Sequence, residues 1–329
     1  MPTGEDLRGK EPQAGPGVQP EPPLVEGLEE PLGIEGPERE FTVRSRSQAE
    51  LVLRRFLRHR LAVASLIVLV MVVLLALFGG KLWHYGYTFQ SSDLSKGPSL
   101  KHPFGTDELG HDTFAQVLRG ANKSVIIALM VASLSTVVGT LVGAIAGFYR
   151  GWIDSLLMRI TDLFLTIPTY AAAAALAYQF AGSSNGWMFL ALILAGFGWM
   201  PVARVVRGVF LSLREKEYVE AARALGAKNR RIIFQHLLPN AVGPIIVNAT
   251  LITAAAILAE TALSYIGLGV QPPDVSLGLL VSRGETAATT RPWLFYFPGL
   301  FIIVIALTIN FVGDGLRDAF DPTQTRVRA

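Results

Sequence analysis

Three places in the sequence hold residue types that could do chemistry. Gly4, Gly9 and Lys10 have the spacing of a phosphate-binding loop, whose backbone N–H groups cradle phosphates while the lysine reaches them. Such a loop also needs a Ser or Thr for magnesium and a preceding strand; here Glu11 stands in the Ser/Thr position and no strand pattern precedes it, so the spacing reads as a chance match. His102–Phe114, HPFGTDELGHDTF, gathers histidine and carboxylate residues that could ligate a metal, against the plainer reading of a structured turn leading into an interfacial helix. The chain has no cysteine and its five histidines are scattered without helical ligand spacing, which favours the turn. Glu260 is the acidic residue in an apolar setting. An ionisable side chain in such a place is a functional candidate, and its position near the outer end of a span, within reach of water or of a neighbouring helix end, points to gating or structure rather than to substrate coordination.

The elements around these residues are set by composition. Of 329 residues, 51% are hydrophobic and only 17% charged, with a mean hydropathy of +0.41, a charge content well below the roughly one quarter usual in soluble domains. Residues 1–40 are different. They carry ten acidic and three basic residues with eight prolines and seven glycines, a composition that cannot bury enough apolar surface to offset its ordering entropy. Residues 1–43 are expected to form a disordered acidic tail, with neither the basic start nor the apolar core of a signal peptide.

From Arg54 the chain reads as a series of membrane spans. Arg54, Arg55, Arg58 and Arg60 precede Leu61–Gly80, twenty uncharged residues that can cross a bilayer as a helix. Ser124–Tyr149 is a second uncharged run. Its Gly139, Gly143 and Gly147 recur every four residues, with Ser135 and Ala132 near the same face, the pattern of a close helix-packing surface. Arg150–Asp162 reads as a short turn in which Arg159 and Asp162 could pair. Leu163–Ala203 has 41 uncharged residues, expected to be two helices joined by a turn at AGSSNG (181–186), with Pro168 marking a kink and Pro201 an end. Leu237–Ala259 and Pro292–Gly313 complete six spans, with Gly267–Arg291 read as an external loop. Asn248 and Asn310 read as interhelical hydrogen-bond donors. From Arg44 onward, 19 Lys and Arg fall on one side and seven on the other, which places both termini in the cytoplasm.

Between the fourth and fifth spans lies a polar segment, Tyr218–Asn240. Tyr218, Ala221, Ala222 and Leu225 form an amphipathic stripe, and Gly226 suits the left-handed cap that ends such a helix. A second helical stretch is expected over Lys228–Leu238. The stripe fits either a protein partner or lipid head groups, and pattern alone leaves both open.

The sequence Glu220-Ala221-Ala222, then Gly226, then His236-Leu237-Leu238-Pro239, resembles the EAA loop of ATP-binding-cassette importer permeases. HPFGTDELGHD, GWIDSLLMRITDLFLTIP (Gly151–Pro168), LAETALSYIGLGVQPP (Leu258–Pro273) and GDGLRDAFDP (Gly313–Pro322) resemble segments of its peptide-type branch, so the likeness runs from about Arg54 to Pro322. It implies an all-α polytopic fold of six transmembrane helices, the type I importer (MetI-like) permease fold. It also implies an N-terminal region over 44–119, a permease core over 120–315 with its EAA loop at 218–240, and a cytoplasmic tail over 316–329.

By the same resemblance the chain is the second subunit of a permease pair in a dipeptide, oligopeptide or nickel importer of a prokaryotic cell membrane. It is not an enzyme and binds no cofactor; ATP and magnesium belong to one or two partner ATPase subunits. The implied partners are a homologous permease, the ATPase, an extracytoplasmic substrate-binding protein and membrane lipid, with no nucleic acid. Glu220, Ala221, Ala222, Gly226, Leu238 and Pro239 would couple to the ATPase. An ion-gradient-driven secondary transporter is the competing class, but it needs intramembrane ion ligands and broken helices, and the spans offer little beyond Glu260.

Overall fold

The computed structural model describes residues 48–180, 183 and 185–321. The acidic tail, the Gly4–Lys10 spacing and residues 322–329 lie outside the described residues, as does most of the AGSSNG turn. Ten helices carry the fold among the described residues: α1 (Gln48–Arg58), α2 (Arg60–Leu82), α3 (Thr113–Tyr149), α4 (Gly151–Thr166), α5 (Thr169–Gln179), α6 (Gly186–Arg214), α7 (Glu217–Ala224), α8 (Asn229–Tyr265), α9 (Leu277–Glu285) and α10 (Trp293–Phe320). Five of them, α2, α3, α6, α8 and α10, are long and apolar enough to cross a membrane, and α4 with α5 forms a pair bent by 77° that makes a sixth crossing. The six expected spans are therefore present, the third as a broken one. Helix α3 runs through the expected 119/120 boundary, and α10 through 315/316.

Each boundary has a local cause. Asp112 caps α3 by accepting a 2.7 Å hydrogen bond from the Ala115 N–H, so the helix starts eleven residues before the uncharged run and carries Arg119 and Lys123 on its first turns. At 37 residues α3 is about 55 Å long and must project beyond a hydrocarbon layer of about 30 Å. It ends where Arg150 and Gly151 both take positive φ, 57° and 59°. After Arg150, residues 151–162 are consequently the body of α4 and not a turn. Pro168 stands at the bend between α4 and α5 as expected, but Pro201 lies inside α6, which continues to Arg214.

The main seam joins α3 to α6. A Cβ on Gly139 would sit 2.6 Å from the Trp199 carbonyl oxygen, and one on Gly147 would sit 2.7 Å from Phe210 Cβ. Gly143 faces the Ala203 carbonyl, Val206 and the Arg207 N–H in the same way. The packing face read from the four-residue glycine repeat is thus the contact between these helices, where small residues let backbones approach. Asn248 and Asn310 do not bridge helices. Their amides donate to the Pro244 and Ala306 carbonyls four residues back on the same helix, 2.9 Å in each case.

Candidate functional site

The polar segment between α6 and α8 folds into α7, a helix of eight residues. Its stop is a two-bond glycine cap. Gly226, at φ +78°, donates 2.9 Å to the Arg223 carbonyl, and Ala227 donates 3.0 Å to that of Ala222. Val219 is fully buried in a cluster with Phe210 of α6 and with Ile232 and Leu237 of α8. That anchor leaves the other face outward: Tyr218 is 41% exposed, Leu225 is 89% exposed, and Glu220 and Ala221 are exposed, with Ala222 half-buried. The sequence stripe is therefore real but points away from the bundle. Val219, which the stripe omits, holds it; the only signal was its β-branched apolar type among small and charged neighbours.

Leu238 and Pro239 are not on α7. They lie on α8, whose first turns are continuous with the Lys228–Leu238 stretch through a π-turn over Ile232–Leu237. Pro239 cannot donate a backbone hydrogen bond, and the wide turn accommodates the mismatch. The Asn240 amide donates 2.6 Å to the His236 carbonyl. Leu238 is half-buried against the Val219 cluster, and Pro239 is exposed.

Above α7, ion pairs tie α4 to α6. Arg207 grips Asp154 with two hydrogen bonds of 2.5 and 2.6 Å, and Arg204 meets Asp162 at 2.5 Å. Arg150, between α3 and α4, meets Glu215 at 2.5 Å. Asp162 thus takes Arg204 of another helix, not the Arg159 on its own.

Glu260 sits at the opposite end of α8 and is fully buried, so it does not reach water. Ser124 of α3 donates to its Oε2 at 2.7 Å, and Ser264 donates to its Oε1 at 2.6 Å. Ser124 in turn accepts from the Leu277 N–H of α9 at 3.4 Å, so contact with a neighbouring helix end runs through serine. Gly267–Arg291, expected as loop, includes α9, started by Ser276, whose side chain accepts from the Leu279 N–H. The helix packs so closely on α8 that a Cβ at Gly278 would lie 2.6 Å from the Thr261 carbonyl oxygen.

Before α9, Asp274 is clamped to α3. Arg119 bonds both its oxygens at 2.8 and 3.1 Å, and the Lys123 ammonium lies 2.7 Å away. The cations also cover aromatic rings, Arg119 over Tyr87 and Lys123 over Trp187. Burial alone would push the Asp274 carboxyl up, but the hydrogen bonds from Lys123 and Arg119 outweigh it and hold it below the usual carboxylate range. A folded-state value below the unfolded one means that this stabilisation is complete above the ordinary carboxylate pKa and is lost as pH falls through and below it. Asp274→Ala is expected to lower stability at neutral pH by about 1–2 kcal/mol, discounted for partial exposure, and to narrow the gap to wild type in acid. Thermal unfolding followed at pH 7 and pH 3.5 checks both.

His102–Phe114 is a hydrogen-bonded turn. His102 Nδ1 meets Asp112 Oδ2 at 2.6 Å, and His111 Nδ1 meets Asp107 Oδ2 at 2.8 Å. Phe104 stacks on Phe297 of α10 at 4.0 Å. Lys101 and Lys96 hydrogen-bond to Asp93 and depress its carboxyl well below the usual range. Among the described residues, no three His, Asp or Glu side chains are grouped to hold a metal ion.

Five long apolar helices, a bent sixth crossing and a short polar helix hung beneath them define a polytopic α-helical membrane protein. Residues 139–326 match the family described as binding-protein-dependent transport system inner membrane component, and residues 47–103 match the N-terminal TM domain of oligopeptide transport permease C. The chain is 47% identical over 283 residues to the oligopeptide transport system permease protein OppC of Mycobacterium tuberculosis, covering 86% of this chain and 97% of that one. It is 39% identical to OppC of Bacillus subtilis over 269 residues, 82% of this chain and 87% of that one. It is also 39% identical to the dipeptide transport system permease protein DppC of Alkalihalophilus pseudofirmus over 267 residues, 80% and 86% of the two chains. Among solved structures, the inward-facing MetNI methionine ABC transporter has a chain with a TM-score of 0.51 at 20% identity, covering 63% of this chain and 96% of that one, a likeness of fold. The chain belongs to the binding-protein-dependent transport system inner membrane component family. It is a non-catalytic, multi-pass permease subunit of a bacterial ABC importer in the inner membrane, and ATP hydrolysis belongs to a separate subunit.

Proposed function

We propose that this chain is one half of the translocation path of a peptide importer, paired with a second homologous permease, and that α7 is the point where the ATPase acts on it. The observation that carries this reading is the geometry of α7. One buried side chain, Val219, fixes the helix to the bundle, while Tyr218, Ala221 and Leu225 are presented outward with charged Glu220 beside them. Ala221 and Ala222 permit close contact with a groove, Glu220 supplies a polar anchor, Gly226 sets the exit, and Leu238 and Pro239 lead into α8. The excess of Lys and Arg on the α7 side supports a cytoplasmic face there, with both termini on that side. The ATPase carries ATP and magnesium; its closure draws α7 inward and biases a two-state bundle between inward- and outward-facing forms. A substrate-binding protein delivers peptide to the opposite face, formed by Lys81–Lys123 and Gly267–Arg291. Peptide is the favoured cargo because relatives bearing oligopeptide and dipeptide transport names align over four fifths of the chain or more. Nickel or another small solute carried by the same machinery is the second reading.

Gly226→Val tests the coupling role. The +78° φ puts a β-branched residue in the left-handed region at a cost of about 1–2 kcal/mol, although no atom lies within 4 Å of the new Cβ. Membrane insertion is expected to be retained while ATP-driven peptide uptake into proteoliposomes falls at least tenfold, with Gly226→Ala intermediate. Normal uptake by Gly226→Val would sink the coupling assignment. Uptake that follows a proton gradient without ATP would sink the importer reading itself.

A further inference from the structure

We infer that α1 is an interfacial helix that binds anionic phospholipid head groups in the leaflet at the α7 end of the bundle. Its sequence, QAELVLRRFLR, is strongly two-sided. One side is docked. Phe56 is buried against Gly315 of α10, where a Cβ would come 3.2 Å from the ring, and Arg55 donates to the Ala319 and Asp321 carbonyls at 3.5 and 3.4 Å, closing the C-terminal end of α10. His59 accepts from the Ala62 N–H to start α2 directly after α1. The helix is therefore held between the first turn of one span and the last turn of another, at the level where the spans leave the membrane.

The other side is exposed among the described residues. Leu53 and Leu57 are each 58% exposed, one helical turn apart, and Leu61 at the start of α2 is 51% exposed. Arg54 and Arg58 repeat the same spacing beside the leucines, and both are exposed, as is Arg60. Leucines that sink into the acyl boundary beside arginines that stay at head-group level are the arrangement of a membrane-surface helix. The exposed apolar surface continues into the span that faces lipid, where Ile67, Met71 and Leu74 are all exposed. A bilayer surface is the occupant that satisfies both the leucine row and the arginine row, and the positive charge of the exposed arginines selects phosphate-bearing anionic lipid over zwitterionic lipid.

The test uses the full chain assembled with its partner subunits in nanodiscs of phosphatidylcholine with increasing phosphatidylglycerol. Lipid retained after extraction is counted by native mass spectrometry. Each basic side chain near an anionic surface contributes about a fivefold preference, so Arg54→Gln/Arg58→Gln is expected to lower the preference for phosphatidylglycerol about twenty-five-fold, at unchanged thermal stability because both side chains are exposed. Arg54→Lys/Arg58→Lys keeps the charge and is expected to restore most of it. Equal phosphatidylglycerol retention in wild type and the glutamine variant overturns the proposal. Loss of the ATPase from the glutamine variant with lipid retention unchanged overturns it too, and assigns the surface to the ATPase. Failure of the lysine variant to restore retention would show that charge is not what the site reads.

Discussion

Gly143→Leu is expected to remove the folded permease from the membrane. The reason lies in which atoms a new side chain would meet. The first carbon of any side chain at 143 would press on the Ala203 carbonyl oxygen, 2.9 Å from Val206 Cβ and 3.0 Å from the Arg207 nitrogen. Two of these are backbone atoms, which cannot rotate away. The helices must separate, and separation at 143 also opens the contacts at 139 and 147, because all three lie along the one seam between α3 and α6. Overpacking costs about 1–3 kcal/mol in a core that can adjust, and a backbone clash belongs at or above the top of that range. Helix association in lipid rests on such close packing, with no hydrophobic gain to offset the loss. Gly208→Leu, on α6 with no atom within 4 Å of its Cβ position, is the matched control and should be neutral. Thermal stability and yield of monodisperse protein separate the two. A Gly143→Leu protein as stable as wild type would mean that the seam is looser than described.

Glu260→Ala carries the second large effect. The substitution leaves the Ser124 and Ser264 hydroxyls without their acceptor in a fully buried place and opens a cavity the size of a carboxymethyl group. An orphaned buried donor costs about 1–3 kcal/mol, so a loss of about 3 kcal/mol is expected. The damage should be directional. Ser124 also accepts from the backbone of α9, and Ser264 accepts at 3.2 Å from the Val270 N–H, so the outer segment loosens before the spans do. Hydrogen exchange of residues 268–285 would register this as lost protection while α3 and α6 stay protected. Glu260→Gln has the same shape; its carbonyl can accept from one serine and its amide can donate to the other. It is expected to stay within about 1 kcal/mol of wild type. If Gln is as damaging as Ala, the negative charge matters and the hydrogen-bond account is wrong.

What could be read without coordinates was what local spacing encodes. The repeat at Gly139, Gly143 and Gly147 revealed a seam because small residues at four-residue intervals have one physical use in a span, though it did not say that α6 was the other side. Gly226 was legible because only a positive φ there ends α7 after Leu225. Charge reading failed at Arg150–Asp162. Asp154 and Asp162 look like punctuation between apolar runs, yet they are satisfied by Arg207 and Arg204 more than forty residues later, and that pairing is set by topology. Helix α9 was hidden because its nine residues are few and lie among glycines and prolines, so periodicity had too little length to register. Glu260 was recognised as buried in type but misplaced in depth, because a sequence cannot show α9 folding back over the end of α8.

Val219 has one more consequence. It lies in one cluster with Phe210 at the foot of α6 and with Ile232 and Leu237 at the foot of α8. A load applied to α7 is therefore not delivered to a single span; it divides between two, as through a pin shared by two hinge leaves. The stiffness of the linkage then belongs to the fit of that joint rather than to a helix of eight residues. Trimming the pin would add backlash: α7 could travel some distance before either span followed.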